Sequence, residues 1–397
     1  MADLAETFIT QPEQLAECCA YLARLPRFGF DTEFVGEGRF QPQLCLVQIA
    51  TPERLFVIDA LRIGPLDAFW QLVVDPAHQV VVHSGREEIR LCQLWSGRMP
   101  TNLFDLQIAA GLTGWSYPLS YGKLVSQILG ENVPKQETLT EWRDRPLTAA
   151  QLRYAFDDVR YLLPIWEALD ERLRNLDRLA WAEEEFASLI ARVEAHSAND
   201  KDNERWRKLR GLGTLNRRGL AIVRELFFWR ERVAERRNRP PRTICRDDLL
   251  VEIAARNPKR RRDLSVVRGL PKQEIDDILE IVRRANALPL SDCPRNLEKE
   301  QDPIQVPVLA GILLAVVADW CGRSFVAPSL AATAQDIKAL IRARIQHRDV
   351  PDDCSLNRGW RRQHLLPLLQ DVLEGRRRLR IHDPASASPL HIEPDQL

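Results

Sequence analysis

The sequence lacks any cysteine spacing typical of a metal site. Eight cysteines are scattered along 397 residues, with no C-x-x-C pair and no cluster of cysteine and histidine. This distribution is typical of reduced, mostly buried thiols and argues against a zinc site. We therefore expect a protein of a reducing compartment whose chemistry does not depend on thiolate ligands.

Long apolar runs and a targeting signal are lacking as well. The N-terminal stretch MADLAETFIT has neither the basic nor the apolar region of a signal peptide. The longest apolar stretch, residues 306–318, contains Pro307 and Gly311 and is too short to span a bilayer. These absences predict a cytoplasmic protein without a membrane partner.

The net charge is zero, but the charges are distributed unevenly along the chain. Residues 1–200 contain 18 Lys and Arg against 29 Asp and Glu, whereas residues 201–262 contain 20 against 8. An acidic region joined to a strongly basic one is a pattern expected of proteins that bind nucleic acid. The alternative is a solvated basic helical surface that has no such partner.

The first 175 residues combine strand-like and helical patterns. The runs FGFDTEF, QLCLVQIAT and RLFVIDA are separated by short turns and predict an antiparallel meander. A helix at 65–74, the strand QVVVHSG and a series of helices follow, the last of them from Thr148, its N-cap, to Asn175. This order of elements predicts a mixed sheet flanked by helices.

The remaining residues are mainly helical in their periodicity, and polar stretches with proline divide them. Because 397 residues exceed the usual size of one hydrophobic core, we expect more than one domain. The predicted segments are an α/β domain at 1–175, a helical connector at 176–202, a basic helical domain at 203–290, a polar linker at 291–307, a further helical domain at 308–383 and a loose tail at 384–397.

Acidic residues within otherwise apolar elements are the main chemical signal. Asp31 and Glu33 are two residues apart on a predicted strand, so their side chains leave the same face. Glu88 follows another strand, and Tyr154 and Asp158 share one face of a helix. Carboxylates in apolar surroundings are costly unless they are neutralised, as Mg²⁺ or Mn²⁺ would do. If these acids converge, they predict a metal site; a sheet edge exposed to water is the alternative.

A series of motifs resembles a known family in order and spacing. DTEF, PQLCLVQIA, HSGREEIRLC, FDLQIAA and EWRDRPLTAAQLRYAFDDVRYLLPIWEAL closely resemble the exonuclease domain of ribonuclease D, over residues 5–175. That family belongs to the DEDD 3′–5′ exonucleases, in the branch with a tyrosine before the last aspartate. Residues 203–290 resemble the helicase-and-RNase-D C-terminal (HRDC) domain, and residues 308–397 resemble a second copy faintly. The resemblance implies a ribonuclease H-like α/β exonuclease domain followed by all-α HRDC-like domains.

The resemblance also assigns the catalytic positions. They are Asp31, Glu33, Glu88, Tyr154 and Asp158. Glu88 departs from the family pattern, which has an aspartate at this position, five residues after His83. The additional methylene extends the carboxylate by about 1.5 Å. The negative charge is therefore kept, but its reach is different.

The same resemblance implies hydrolysis with two divalent ions, Mg²⁺ or Mn²⁺. It also implies that 5′-nucleoside monophosphates are released from the 3′ end of an RNA. Asp31 would bridge the two ions, and Glu33 and Asp158 would bind the ion that activates water. Glu88 would hold the other ion, through water. Tyr154 would orient the attacking water.

Several neighbours of these motifs have both a structural and a functional interpretation. His83 either packs or takes part in catalysis, whereas Glu87 and Asp157 are expected to face solvent. Asp105 is expected to cap a helix rather than to bind a metal ion. The residues expected to fix the loop before the catalytic helix are Trp142, Arg145 and Pro146.

Two sets of residues are candidates for contact with nucleic acid. Phe34, Arg39 and Phe40 follow the strand of Asp31 and either touch a terminal nucleotide or pack. The basic domain offers a group of arginines to a phosphate backbone: Arg217, Arg218, Arg236, Arg237, Arg239 and Arg242. Because nothing in this region predicts recognition of base edges, we expect salt-dependent affinity that is largely independent of sequence.

The sequence therefore predicts a monomeric, metal-dependent 3′–5′ exoribonuclease that trims structured RNA such as a tRNA precursor. One alternative is a 3′–5′ DNA exonuclease, since related domains occur in proofreading polymerases and Werner-type helicases. The other is a nucleic-acid-binding adaptor whose catalytic site has decayed. Glu88 is the only sequence feature that favours the adaptor.

Overall fold

The structure, a computed structural model, describes residues 4–133, 141–198, 204–265, 267–270, 272–295, 302–386 and 388–395. Parts of the predicted connector, linker and tail, namely 199–203, 296–301, 387 and 396–397, lie outside the described residues. All eight cysteines are buried and free, as the sequence predicts.

A mixed six-stranded sheet forms the centre of the N-terminal region. Its strands are β1 (Ala5–Ile9), β2 (Arg27–Val35), β3 (Gln43–Ala50), β4 (Arg54–Asp59), β5 (Gln79–Val82) and β6 (Leu103–Asp105). The order across the sheet is β1-β4-β3-β2-β5-β6. β3 and β4 are antiparallel, whereas β1 with β4, β2 with β5, and β5 with β6 are parallel. The predicted mixed sheet is confirmed; β1, which had no clear strand signal, was missed.

Helices connect and cover these strands. They are α1 (Pro12–Leu22), α2 (Ala60–Ile63), α3 (Asp67–Val74), α4 (Arg86–Ser96), α5 (Leu106–Gly111), α6 (Tyr121–Leu129), α7 (Ala149–Arg160), α8 (Leu162–Asn175) and α9 (Leu179–Ala198). Thr148 is the N-cap of α7 and forms a capping box with Gln151, as predicted. The predicted helix from Thr148 to Asn175 is wrong in one respect, because it is interrupted at Tyr161.

Gly29 allows α8 to approach the sheet closely beside the predicted site. A β-carbon on Gly29 would lie only 2.9 Å from Cδ1 of Leu162. Leu162 is fully packed at the start of α8, and Gly29 precedes Asp31 by two residues on β2. Because a larger residue would push α8 away, the glycine keeps α8 packed closely against β2.

The chain divides into two compact units. The first contains residues 1–33, 46–194 and 301–397, and the second contains residues 34–45 and 195–300. The segment after β2 thus clusters with the basic helical region. The helical region predicted as a separate domain at 308–383 clusters with the α/β region.

The second unit has its own hydrophobic core. Its helices are α10 (Arg217–Arg237), α11 (Pro241–Ile244), α12 (Asp247–Arg256), α13 (Arg261–Ser265) and α14 (Ile275–Ala287). Asn216 caps α10 by accepting a hydrogen bond from the backbone of Gly219 at 2.9 Å. Phe227 and Trp229 are buried, and Phe228 packs against the core.

Within the first unit, the C-terminal helices pack on the α/β region. They are α15 (Gln305–Ser324), α16 (Pro328–Ala331), α17 (Ala334–Ile345), α18 (Gly359–His364) and α19 (Leu366–Leu373). The indole of Trp360 lies between those of Trp181 and Trp320, with ring centroids at 4.8 and 6.2 Å. Its Nε1 donates to Glu185 at 2.9 Å, so this buried stack anchors α18 to α9.

Two expectations for the C-terminal region differ from the structure. The predicted linker at 291–307 is too long, since α15 begins at Gln305. The predicted loose tail is wrong, because β7 (Arg377–Ile381) and β8 (Leu390–Pro394) form an antiparallel hairpin. In the described part of the chain, α15 alone is long and apolar enough to cross a membrane, although core helices share this composition.

Candidate active site

β2 carries the first two acids of the site. Oδ1 of Asp31 accepts a hydrogen bond from the backbone N–H of Thr32 at 2.9 Å. Burial and the neighbouring charge of Asp31 raise the pKa of Glu33 to about 8. Burial also raises the pKa of Asp31, although the Thr32 backbone partly offsets this effect. The carboxyl groups of Asp31 and Glu33 thus share one poorly solvated environment. Their two-residue spacing on a strand predicts that they lie on the same face.

The start of α4 places Glu88 beside Asp31. A β-carbon on Gly85 would lie 2.3 Å from Cγ2 of Val82, so the tight entry into α4 requires a glycine. Glu88 is 6% exposed and accepts a hydrogen bond from Oγ1 of Thr32 at 3.0 Å. Burial, then the charge of Asp31, raises the pKa of Glu88 well above its usual value.

α7 adds Tyr154 and Asp158, which lie one turn apart on the same face of the helix. Burial and the charges of Asp31 and Glu33 raise the pKa of Asp158 to about 9. Burial and the carboxylate of Asp158 raise the pKa of the Tyr154 hydroxyl, which therefore remains protonated near neutral pH. β2, α4 and α7 thus bring all of the predicted catalytic side chains into mutual interaction.

The donor set is suited to a hard divalent cation. All four acids offer carboxylate oxygens, the ligands that Mg²⁺ and Mn²⁺ prefer. Burial raises the pKa values of all four, repulsion by Asp31 adds to this for Glu33, Glu88 and Asp158, and a cation would relieve that repulsion. Among the described residues, no three or more His, Cys, Asp or Glu side chains are already gathered as metal ligands. The residues therefore fit the ion by charge and chemistry, without a preformed cage.

His83 and Asp105 have structural roles in the described contacts. Nε2 of His83 lies 2.9 Å from the carbonyl oxygen of Leu119, so this nitrogen carries the proton and donates. Asp105 caps α5 through the backbone amides of Gln107 and Ile108, and its other oxygen accepts from Gly85 at 2.8 Å. The N-cap prediction for Asp105 is confirmed. Asp105 also holds the turn that leads to Glu88.

The two acids expected to face solvent differ from each other. The side chain of Glu87 is 43% exposed and pairs with Arg90 at 2.7 Å, so the prediction for Glu87 is confirmed. The prediction for Asp157 is wrong, since its side chain is only 16% exposed and pairs with Arg160 at 2.9 Å. Arg160 also pairs with Glu6.

The segment after β2 belongs to the second unit. The ring of Phe40 packs against the core of that unit, and its backbone N–H donates to Oδ1 of Asn238 at 3.2 Å. Packing is thus the role that the structure gives to Phe40, rather than contact with a terminal nucleotide. Phe34 and Arg39 are partly buried in the same segment, and their contact with substrate remains a prediction.

The arginines predicted to bind phosphate fall into two groups. Arg217 donates to the carbonyl oxygens of Ser291 and Cys293, and Arg218 donates to those of Ala285 and Leu288. These two arginines hold chain segments together, and the prediction that they face RNA is corrected. The other group is exposed: Arg236, Arg237, Arg239 and Arg242. Of these, Arg237 pairs with Glu274 and Arg242 pairs with Asp247.

Three residues near the site escaped the sequence analysis. Thr32 stands between Asp31 and Glu33 in the motif and binds Glu88 through its hydroxyl. Tyr121 accepts a hydrogen bond from the backbone of Tyr161 at 3.0 Å, at the break between α7 and α8. Asp59 binds Arg145 from the end of β4. Tyr121 and Asp59 lie at element ends, which is a weak signal, and the partners of all three residues are distant in sequence.

Comparison with known proteins identifies two regions of the chain. A family model described as a 3′–5′ exonuclease matches residues 7–174, and an HRDC domain model matches residues 219–283. The chain is 32% identical over 381 residues to Ribonuclease D of Pseudomonas paraeruginosa, a match that covers 92% of this chain and 99% of that protein. It is 36% identical over 365 residues to Ribonuclease D of Acidiphilium cryptum, covering 89% of each.

A solved structure extends the similarity to the whole fold. Escherichia coli RNase D is 27% identical, with a TM-score of 0.79, and the match covers 93% of this chain and 98% of that one. That protein is described as an exoribonuclease involved in structured RNA processing. The family resemblance and the fold class, both predicted from the sequence, are therefore confirmed. The relatives that confirm them span nearly the whole chain.

Proposed function

We propose a substrate and residue roles for this chain, which belongs to the ribonuclease D family and is a 3′–5′ exoribonuclease. Its proposed substrate is the 3′ end of a structured RNA, such as a tRNA precursor. The similarity to a relative that acts on structured RNA supports this choice. The proposed products are 5′-nucleoside monophosphates, released one at a time.

The proposed catalytic residues are those that interact at the meeting point of β2, α4 and α7. Exonucleases of this family use divalent metal ions, and we propose two, Mg²⁺ or Mn²⁺, held by Asp31, Glu33, Glu88 and Asp158. When bound, such ions activate water and stabilise the charge on the leaving oxygen. The Tyr154 hydroxyl, one helical turn from Asp158, orients the attacking water. The observation that carries this proposal is that Thr32, between Asp31 and Glu33 on β2, donates a hydrogen bond to the buried Glu88 of α4 at 3.0 Å, which brings acids distant in sequence together.

The basic unit is proposed to bind the phosphate backbone of RNA. Arg236, Arg237, Arg239 and Arg242 are exposed at and beyond the C-terminal end of α10. Charges of this kind supply affinity that falls with salt and does not depend on sequence. We further propose a cytoplasmic monomer that prefers RNA to DNA. The eight free, buried thiols support a reducing compartment.

A matched degradation assay tests the proposal. Single-stranded RNA and DNA of one sequence, labelled at the 5′ end, are incubated with the protein while Mg²⁺ or Mn²⁺ is titrated. A ladder shortened from the 3′ end, faster on RNA, with nucleoside 5′-monophosphates as products, is the expected result. Asp31→Asn should abolish it, whereas Glu87→Gln, which changes an exposed acid on the helix of Glu88, should not. Faster cleavage of DNA would overturn the substrate, and an active Asp31→Asn would overturn the site.

A further inference from the structure

Asp59 and Arg145 are 86 positions apart in the sequence. The carboxylate of Asp59 and the guanidinium of Arg145 form an ion pair with two parallel hydrogen bonds. Nε of Arg145 donates to Oδ2 of Asp59 at 2.6 Å, and Nη2 donates to Oδ1 at 2.7 Å. Asp59 ends β4 and its side chain is 1% exposed. A parallel pair of charged hydrogen bonds at a buried carboxylate defines both the position and the plane of the guanidinium.

The same guanidinium holds the loop that leads into α7. Nη1 of Arg145 donates to the carbonyl oxygens of Trp142 and Asp144, at 2.8 Å each. Arg145 therefore joins the backbone of its own loop to the end of β4, an interior strand of the sheet. α7 itself packs against β4, so the loop and the helix share one support.

The loop supports the tyrosine of the site directly. The indole of Trp142 is 7% exposed and its ring centroid lies 5.8 Å from that of Tyr154, at an interplanar angle of 36°. We infer that Asp59 and Arg145 are positioning residues that set the place of the Tyr154 hydroxyl through Trp142. This inference rests on the proposed role of Tyr154 in orienting the attacking water.

The geometry of a water-orienting group is sensitive to small shifts. A displacement of about 1 Å can cost roughly 10²-fold in rate, even when the change lies outside the reacting groups. Lysine at position 145 keeps the charge but cannot reproduce the fork that binds Asp59 and two carbonyls at once. Arg145→Lys therefore loosens the loop without leaving Asp59 as an unpaired buried charge.

The chain offers a matched control in the same unit. Arg361 also joins one buried carboxylate, that of Glu185, to two backbone carbonyls, those of Ala331 at 2.9 Å and Leu330 at 2.6 Å. This cluster ties α18 to α9 and α16, and none of its partners lies on α7. Arg361→Lys thus removes a comparable set of guanidinium hydrogen bonds to a buried carboxylate and two carbonyls, but should leave Tyr154 in place.

A double-mutant cycle tests whether the pair acts through Tyr154. Arg145→Lys and Asp59→Asn should each lower kcat by roughly 10-fold or more with little change in KM, as expected for misplacement of a reacting group. In the Tyr154→Phe background the same changes should lower kcat by less than about twofold, because coupled residues are not additive. Arg361→Lys should leave kcat unchanged in both backgrounds. Equal losses with and without the hydroxyl, or no loss at all, would overturn the inference.

A measurement without catalysis separates this inference from the proposed function. Hydrogen–deuterium exchange of the metal-free protein should speed up across residues 142–154 in Arg145→Lys, while peptides of α18 stay unchanged. Arg361→Lys should give the opposite pattern. If Tyr154→Phe has no effect on kcat, the proposed role of Tyr154 fails, while exchange still decides whether Arg145 holds the loop. Unchanged exchange at 142–154 in Arg145→Lys would overturn the positioning pair itself.

Discussion

The backbone N–H of Phe40 donates a hydrogen bond to Oδ1 of Asn238 at 3.2 Å, and the N–H of Gln41 donates to the same oxygen at the same distance. Asn238 ends α10 in the left-handed conformation, with φ of 46°. Asparagine and glycine adopt this conformation more easily than other residues. A helix end of the HRDC region thus holds the segment that directly follows the strand of Asp31 and Glu33.

Replacement of Asn238 by glycine should remove both hydrogen bonds to the segment at 34–45. Glycine also adopts the left-handed conformation, so the backbone of the helix end should be unchanged. Each lost amide hydrogen bond contributes about 0.5–1.5 kcal/mol, so amide exchange of residues 34–45 should accelerate measurably. Exchange within α14 should stay unchanged, which serves as the internal control. Protection of 34–45 equal to that of the wild type would show that the packing of Phe40 suffices and that the Asn238 side chain is dispensable.

The metal-free protein should lose stability as pH rises. Burial and neighbouring acids raise the pKa of Glu33 to about 8 and that of Asp158 to about 9. The folded state therefore holds protons that the unfolded state releases near its ordinary carboxyl pKa of about 4, and stability declines from there up to about pH 9. Asp31→Asn removes one of the repelling charges and should flatten this decline.

The measurement is the melting temperature in EDTA between about pH 5 and pH 9, for the wild type, Asp31→Asn and the surface control Glu87→Gln. The control should follow the wild type, since Glu87 is exposed and already paired with Arg90. A melting temperature that rises with pH, or an equal slope in Asp31→Asn, would contradict a repulsive cluster.

Tyr154→Phe should lower kcat by roughly 10²-fold, the lower range for a positioned hydroxyl, and leave RNA affinity nearly unchanged. The ring of Tyr154 still packs against Trp142 in this variant, so the loop should stay in place. Single-turnover rates of Tyr154→Phe measure the effect on the chemical step. The dissociation constant for RNA, measured with and without Tyr154→Phe in the inactive Asp31→Asn background, measures the effect on affinity. A loss of affinity as large as the loss of rate would make Tyr154 a substrate contact.

Glu88 should make the protein favour Mn²⁺ over Mg²⁺. Mg²⁺ demands near-ideal octahedral geometry, whereas the longer carboxylate is displaced by about 1.5 Å relative to aspartate. Glu88 is also held by Thr32 at 3.0 Å, which limits its freedom to adjust. Glu88→Asp should then restore or raise the rate with Mg²⁺, and Glu88→Gln should lose most activity with either ion.

The outcomes for Glu88 discriminate among three interpretations. A fully active Glu88→Gln would remove Glu88 from the site and direct the search to Glu87. A wild-type protein that is inactive with both ions and is revived by Glu88→Asp would favour the adaptor interpretation. Titration of each ion in parallel with the exposed-acid control Glu87→Gln is the measurement.

Arg236→Gln combined with Arg239→Gln should weaken RNA binding more than it slows the chemical step. Each phosphate contact on a single strand adds about 0.7 to the slope of log K against log salt, so the slope should become shallower by about 1.4. Arg283→Gln is the matched control, since Arg283 is 74% exposed but is paired with Glu280 at 2.7 Å on another helix. An unchanged slope in the double variant would mean that this end of α10 does not face RNA.

Much of the site follows from the sequence alone, because local periodicity decides which side chains share a face. The two-residue spacing of Asp31 and Glu33 on a strand and the four-residue spacing of Tyr154 and Asp158 on a helix suffice to pair them. The mixed sheet and the N-caps at Thr148 and Asp105 were predictable for the same reason, since alternation and capping act over a few residues.

The tertiary structure alone decided which distant groups complete these local patterns. Thr32 binds Glu88 across 56 positions, and Asp59 binds Arg145 across 86. The basic composition of this region predicted that Arg217 and Arg218 bind phosphate. In the structure their guanidinium groups instead donate to backbone carbonyl oxygens that folding brings close. Long polar side chains find such partners wherever packing leaves a buried acceptor, and a buried acceptor must be paired. The partner is therefore a property of the assembled core, which no short stretch of sequence encodes.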